Sequence, residues 1–414
     1  MNWKSAIILL AILLSSCQKS NDYEDLILKF YGDVYEDIGY SVAKTGDQYV
    51  IGGQFTDIFR TGGNYIEVEK SVNNKKLAII KTDNAGNIAW KKSFGNKLTA
   101  VGKKVLVLDD GSIICVGSID DTVTLRRDIF VVKVAADGTG PVQKIYGGIG
   151  NQSGTDILKT QEGFLLLGTT DAERLPQTDS TGNISGKDDI LLLRLNNNLD
   201  QIGSPVAAGF PGDDIGVALK NDISGGYVVV GTTDRSEMKR EQQALNNILL
   251  LKVNTLGNVV KTRIAGGISD EYAADIEVQT DGYLIPVTVG TESVSQKGYI
   301  LKIPADIYTT PTYGPDIKFS ADANIQSYSL KAISPYKSNS YVIAGQAGTG
   351  TSTKMLIFVL DANGNQVEGR EKIFGGTGAQ SAYDVISDGS DYVIAVGKDT
   401  YDNNSMISLL KFRF

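Results

Sequence analysis

Residues 247–267 read NILLLKVNTLGNVVKTRIAGG: an apolar run, a turn around Leu256-Gly257-Asn258, a second run carrying charges, and a closing Gly pair. The same plan returns at 128–148 as DIFVVKVAADGTGPVQKIYGG and at 354–376 as KMLIFVLDANGNQVEGREKIFGG. Each copy reads as a hairpin. Apolar and β-branched runs favour a pleated backbone, and Gly or Asn supplies the positive φ of a tight turn. The other half of the repeat is as regular: YVIGGQ (49–54), SIICVG (112–117), FLLLGTT (164–170), YVVVGTT (227–233), YLIPVTVG (283–290), YVIAGQ (341–346) and YVIAVG (392–397). That makes seven units of four strands.

Corner glycines at 32, 95, 147, 209, 266 and 375 mark the units, with a period a little above fifty residues. The interval from Gly266 to Gly375 spans two units, which puts a degenerate corner near Pro315-Asp316. Strands such as ILLLKV and YVVVGT are apolar at nearly every position, as suits sheets covered on both faces. No helical period appears after the first residues. These features predict an all-β fold, a seven-bladed β-propeller of four-stranded antiparallel blades. The first unit lacks its ILLLK-type strand and the last lacks its Gly-pair strand. LILKFYGD (26–33) is therefore expected to pair with MISLLKFRF (406–414), closing one domain over 26–414 without an open edge.

In this pattern the chain resembles the WD-type and quinoprotein-type repeat propellers, and the propeller lipoproteins of Bacteroidota-type bacterial envelopes. The resemblance is one of repeat pattern over residues 26–414. No Trp-Asp dipeptide is present, and only Trp90 matches the quinoprotein tryptophan position.

Ahead of the repeats, MNWKSAIILLAILLSSC (1–17) holds one Lys, an apolar run from Ala6 to Leu14 and small residues before a Cys. This is a secretory signal too short to span a bilayer comfortably. Leu14-Ser15-Ser16-Cys17 resembles the bacterial lipobox. The resemblance implies cleavage after residue 16, a lipid on Cys17, and residues 17–25 as a short tether to a membrane of the bacterial envelope, the outer membrane being the expected one.

The 414 residues contain no His. Ser-His-Asp and Cys-His nucleophile systems and His-ligated zinc are thereby excluded. The net charge of −8, with no run of Lys and Arg longer than two, argues against a nucleic-acid partner. Cys115 lies in an apolar run and is expected to be buried. The Asp-Asn-Gly stretches at Asp83 and Asp361 recur at hairpins and lack the further ligands of a calcium loop, so they read as turns. No cofactor or metal is expected.

Candidate ligand-binding residues follow the corners. Glu36, Asp37, Asp213, Asp214, Asp270 and Glu271 form acidic pairs, and Gln152, Gln326 and Gln380 stand in corresponding places of other units. They are expected at the mouth of the central channel. There they could form a polar funnel for a cation, sugar or basic peptide, or satisfy loop amides. A carboxylate pair could also support glycoside hydrolysis, although nothing in the sequence selects one. The long connections 55–75, 170–188 and 234–245 are expected on the same face, and Phe59, Arg60 and Tyr65 are candidates for a partner contact. The reading that follows is a noncatalytic interaction or scaffold module on a membrane, analogous in architecture to the propeller lipoprotein of outer-membrane assembly machinery. A glycan- or peptide-binding lipoprotein of an uptake system and a carboxylate-based glycan-processing enzyme are the alternatives.

Overall fold

The computed structural model describes residues 25–32, 36–56, 75–95, 99–121, 126–172, 188–210, 212–234, 246–267, 269–290, 295–315, 317, 325, 327–350, 352–389, 391–401 and 404–414. Seven antiparallel sheets make up the propeller. Blades 1 to 6 begin with innermost strands Ile38–Thr45, Ala100–Val107, Gln152–Lys159, Asp214–Asn221, Glu271–Ala273 and Tyr328–Pro335, and each then adds strands outward in chain order. Blade 7 runs outward from Ala379–Ser387 through Tyr392–Tyr401 and Asn404–Arg413 to the N-terminal strand Ile27–Tyr31. That last pairing aligns Leu28 with Leu410 and Tyr31 with Ile407, so the first strand closes the ring as its sequence predicts.

The core sits between blades. Second and third strands such as Tyr227–Thr233 and Asn247–Val253 are buried at every residue, because both faces of each sheet meet a neighbour. Burial falls away on the outermost strands: in Val259–Ala265 only Ile264 and Ala265 are buried. Aromatic residues tie successive rims. The Tyr31 hydroxyl donates to Gly86 O (2.7 Å), Trp90 Nε1 to Ala136 O (3.3 Å) and the Tyr146 hydroxyl to Leu199 O (2.5 Å).

The recurring Val-Gly of the second strands has a steric cause. A Cβ on Gly53, Gly117, Gly168, Gly231, Gly345 or Gly397 would lie 1.8–2.4 Å from a carbonyl oxygen of its own blade's innermost strand, just before a β-bulge. Only glycine lets the bulged strand lie so close. Blade 5 has Val287 at this place, preceded by Pro286, which has no N–H for the ladder. Its innermost strand is broken into Glu271–Ala273 and Glu277–Gln279.

The degenerate corner of that blade lies at Gly314, one residue before the expected Pro315-Asp316. Gly314 N donates to Ile300 O (3.0 Å) after an outermost strand cut to Thr312–Tyr313. The tight turns behave as expected: Asp83 Oδ1 accepts from the amides of Ala85 and Asn87, and Asp361 Oδ1 from those of Asn363 and Asn365.

Candidate functional site: the central channel

An innermost strand has no inward neighbour, so some of its amides face the channel without a ladder partner. Just past the bulge, all seven blades solve this at one level. Asp156 Oδ1 accepts from its own Ile157 N (2.8 Å), while Oδ2 accepts from Leu219 N of the next blade (2.9 Å). Asp275 does the same for Ile276 N (2.8 Å) and Ile333 N (3.1 Å), and Asp384 for Val385 N and Val42 N (both 2.9 Å). Three carboxylates thus cap six amides. The seventh, Val105 N, is capped by Ser41 Oγ at 3.3 Å.

The corresponding residue of blade 2 is Lys104, whose Nζ lies 3.9 Å from Asp384 Oδ2. The Asp384 charge, with Asp156 and Asp275 adding to it, holds the Lys104 ammonium above the ordinary lysine pKa despite burial. Burial pushes the Asp156 carboxyl up, against Lys104 and its two amides. Two residues further along, Lys220 and Glu277 pair at 3.8 Å, and burial raises Glu277 to about 6. Among the described residues, no group of three His, Cys, Asp or Glu side chains is arranged to hold a metal ion.

The bulge residues themselves form a second ring: Tyr40, Lys103, Thr155, Val217, Ala274, Lys331 and Tyr383. Tyr40 and Tyr383 meet with ring centroids 5.2 Å apart, tilted by 59°. The Lys103 Nζ sits 3.6 Å above the Tyr40 ring.

The nine corner residues singled out by sequence are divided by the structure. Asp37, Gln152, Asp214, Glu271 and Gln380 occupy one repeated position, buried against the corners. Asp214 Oδ2 accepts from Phe210 N (2.5 Å), Glu271 Oε2 from Gly267 N (2.9 Å) and Asp37 Oδ1 from Thr56 N (2.7 Å). Gln152 and Gln380 donate to Ile149 O (2.8 Å) and Thr377 O (3.2 Å). Burial lifts Asp214 to about 6 and also raises Glu271.

Their partners in the pairs reach solvent to a greater extent. Glu36 pairs with Lys75 at 2.6 Å, while Asp213 and Asp270 accept from Asp188 N (3.3 Å) and Asn246 N (3.0 Å). In blade 6 the repeated position holds Tyr328 and not Gln326, since Leu330 pairs with Gly345 as Gly216 pairs with Gly231. The Tyr328 hydroxyl contacts Gly298 O and Ile317 O, each at 3.0 Å. Gln326 lies outside the described residues, as do Cys17, Phe59, Arg60 and Tyr65.

Sequence reasoning missed the axial aspartates. Their signal is Asp before a β-branched residue, four or five residues before the next turn, in ILKT-, IEVQT- and VISD-type segments, and nothing distinguishes it from an ordinary polar residue in a strand.

No family model and no curated protein matches the chain. Solved structures do. A polysaccharide lyase of family PL25, an ulvan lyase, superposes with a TM-score of 0.55 at 10% identity, over 93% of this chain and 96% of that one. Its complex with -[GlcA(1-4)Rha3S]- gives 0.54 at 9%. Raptor from Chaetomium thermophilum gives 0.51 at 9%, with 98% of this chain but only 30% of that one covered. An acylaminoacyl peptidase from Pyrococcus horikoshii, at a TM-score of 0.47, is likewise only about half spanned (51%). The likenesses above a TM-score of 0.5 are ones of fold alone.

Proposed function

We propose that this protein is a noncatalytic binding propeller, tethered to a bacterial envelope membrane by a lipid on Cys17, and that it engages a membrane partner through the end of the ring where the corners lie. One observation carries the reading. Three carboxylates gathered at the channel are committed to the backbone, Asp156, Asp275 and Asp384 each holding amides of two blades, and a fourth, Glu277, is paired with Lys220. A general acid or nucleophile must instead be free to meet substrate.

The site of contact follows from where the chain spends its length. The connections from Thr56 to Lys75, Thr170 to Asp189 and Thr233 to Asn247 all leave from the corner end, whereas the opposite end is closed by short turns. Length gathered at one end of a repeat ring is the usual arrangement of a binding face.

The test is a mild-detergent pull-down of the native protein, with mass spectrometry of its N-terminal peptide and of what accompanies it. A diacylglyceryl-modified Cys17 and a stoichiometric membrane partner are expected. An unmodified N-terminus would overturn the anchor, and a partner-free monomer would overturn the interaction role.

A further inference from the structure

Three consecutive blades place Tyr383, Tyr40 and Lys103 at the same bulge position. The three side chains form one cluster, with Tyr40 touching Tyr383 on one side and Lys103 on the other. Lys103 differs from its cationic neighbours. Lys75 is paired with Glu36 at 2.6 Å and Arg127 with Asp120 at 2.7 Å. Lys103 is exposed, and among the described residues no carboxylate pairs with it.

Partial burial together with the Arg127 and Lys75 charges holds Lys103 down to about 8. An ammonium crowded by like charge and left without a counterion, in a protein of net charge −8, is poised to accept an anion. The rest of the bulge ring is Thr155, Val217, Ala274 and Lys331. A cavity of about 420 Å³ lies between blades 5 and 6, beside Tyr272, Ala274, Gln296 and Lys331.

We propose that this part of the channel binds an acidic saccharide, with Lys103 pairing with its carboxylate or sulfate and Tyr40 and Tyr383 contacting the sugar ring. The alternatives fit less well. A bare phosphate would leave the two tyrosine rings unused. A folded protein needs a broad contact surface that a channel interior does not provide. Two tyrosine rings flanked in the bulge ring by Lys103 and Lys331 match a ligand with apolar ring faces, hydroxyls and a single charge per residue. The site does not use the Cys17 lipid, and a soluble saccharide reads it with no membrane partner present, so it can stand or fall apart from the proposed interaction.

The experiment is titration calorimetry on the full-length protein with trigalacturonate, against neutral galactotriose and inorganic sulfate. Trigalacturonate alone should bind. Lys103→Met and Tyr40→Leu should each weaken it at least tenfold while Lys103→Arg retains it, all at unchanged melting temperature. Affinity should fall between pH 7 and 9 as Lys103 loses its proton. If a Lys103→Met or Tyr40→Leu protein melts early, the pH profile and Lys103→Arg in the otherwise native protein decide the matter. Absence of trigalacturonate binding, equal binding of galactotriose or sulfate, or undiminished binding by folded Lys103→Met would each overturn the proposal.

Discussion

Lys104 Nζ lies 3.9 Å from Asp384 Oδ2 although blade 1 stands between the two blades that carry them. The lysine therefore reaches past a neighbour to a blade-7 carboxylate at its level, and its charge also acts on Asp156 and Asp275. Lys104→Met would leave three carboxylates facing one another. The side chain is 34% exposed, so solvent screens part of the effect, and a loss of about 1–2 kcal/mol is expected in urea unfolding at pH 7.5. The deficit should shrink at low pH, where the carboxylates protonate and their repulsion disappears. A deficit that grows on acidification would contradict this account.

Capping by one carboxylate across two blades predicts an unequal pair of alanine effects. Asp156→Ala exposes Ile157 N and Leu219 N, whereas Ser41→Ala exposes only Val105 N. Chemical denaturation should give roughly 3 kcal/mol for the aspartate and about 1 kcal/mol for the serine. Equal losses would mean that the second amide cap of the aspartate contributes nothing.

Asp214 predicts a pH dependence. Its folded carboxyl titrates at about 6 because of burial, against an unfolded value of 3.8. Between those values the folded state binds more protons than the unfolded state, so this group's contribution to stability is present below the lower value and is lost as pH rises through about 6. Asp214→Asn should match the wild type near pH 4 and exceed it by roughly 2 kcal/mol at pH 7.5 in thermal or urea unfolding. Parallel pH profiles for the two proteins would refute the assignment.

The second-strand glycines predict a steric asymmetry. A Cβ at Gly117 would stand 1.8 Å from Val101 O, so Gly117→Ala should cost about 2–3 kcal/mol. Blade 5, which already lacks the glycine, should gain continuity from Pro286→Ala combined with Val287→Gly. Slower hydrogen exchange at Asp275 and Ile276 is the readout, and unchanged exchange would assign the break to another cause.

The blade count, strand order and ring closure were all legible in the sequence, because they follow from apolar runs and Gly corners that repeat. So was the closing Val-Gly, although only the structure gives its cause, the carbonyl of a bulged strand that pairs with it from the previous strand of the same blade. The site was less legible. Asp37, Asp214 and Glu271 stood out because acidic pairs are conspicuous, yet what they contact depends on the fold of the corner behind them. Asp156, Asp275 and Asp384 look like ordinary polar residues in a strand, and their shared role exists only once blades distant in sequence stand side by side. Tyr40, Lys103 and Tyr383 become neighbours for the same reason, across more than three hundred residues of chain. In blade 6 an aromatic residue, Tyr328, fills the repeated corner position two residues after Gln326, and no acidic pair marks it in the sequence.

The mixed composition of blade 7 also sets an order of events. The strand Ile27–Tyr31 emerges first during synthesis, but its partner Asn404–Arg413 emerges last, so the first strand must wait through the making of six blades with Leu28 and Phe30 on show. Those two side chains remain 45% and 43% exposed even after docking, and only Tyr31 is buried. Waiting therefore forfeits little, and the latch is weak by itself. Its hold comes from being added last to a scaffold already complete, which makes the seam between Leu28 and Leu410 the place where an assembled ring would first come undone.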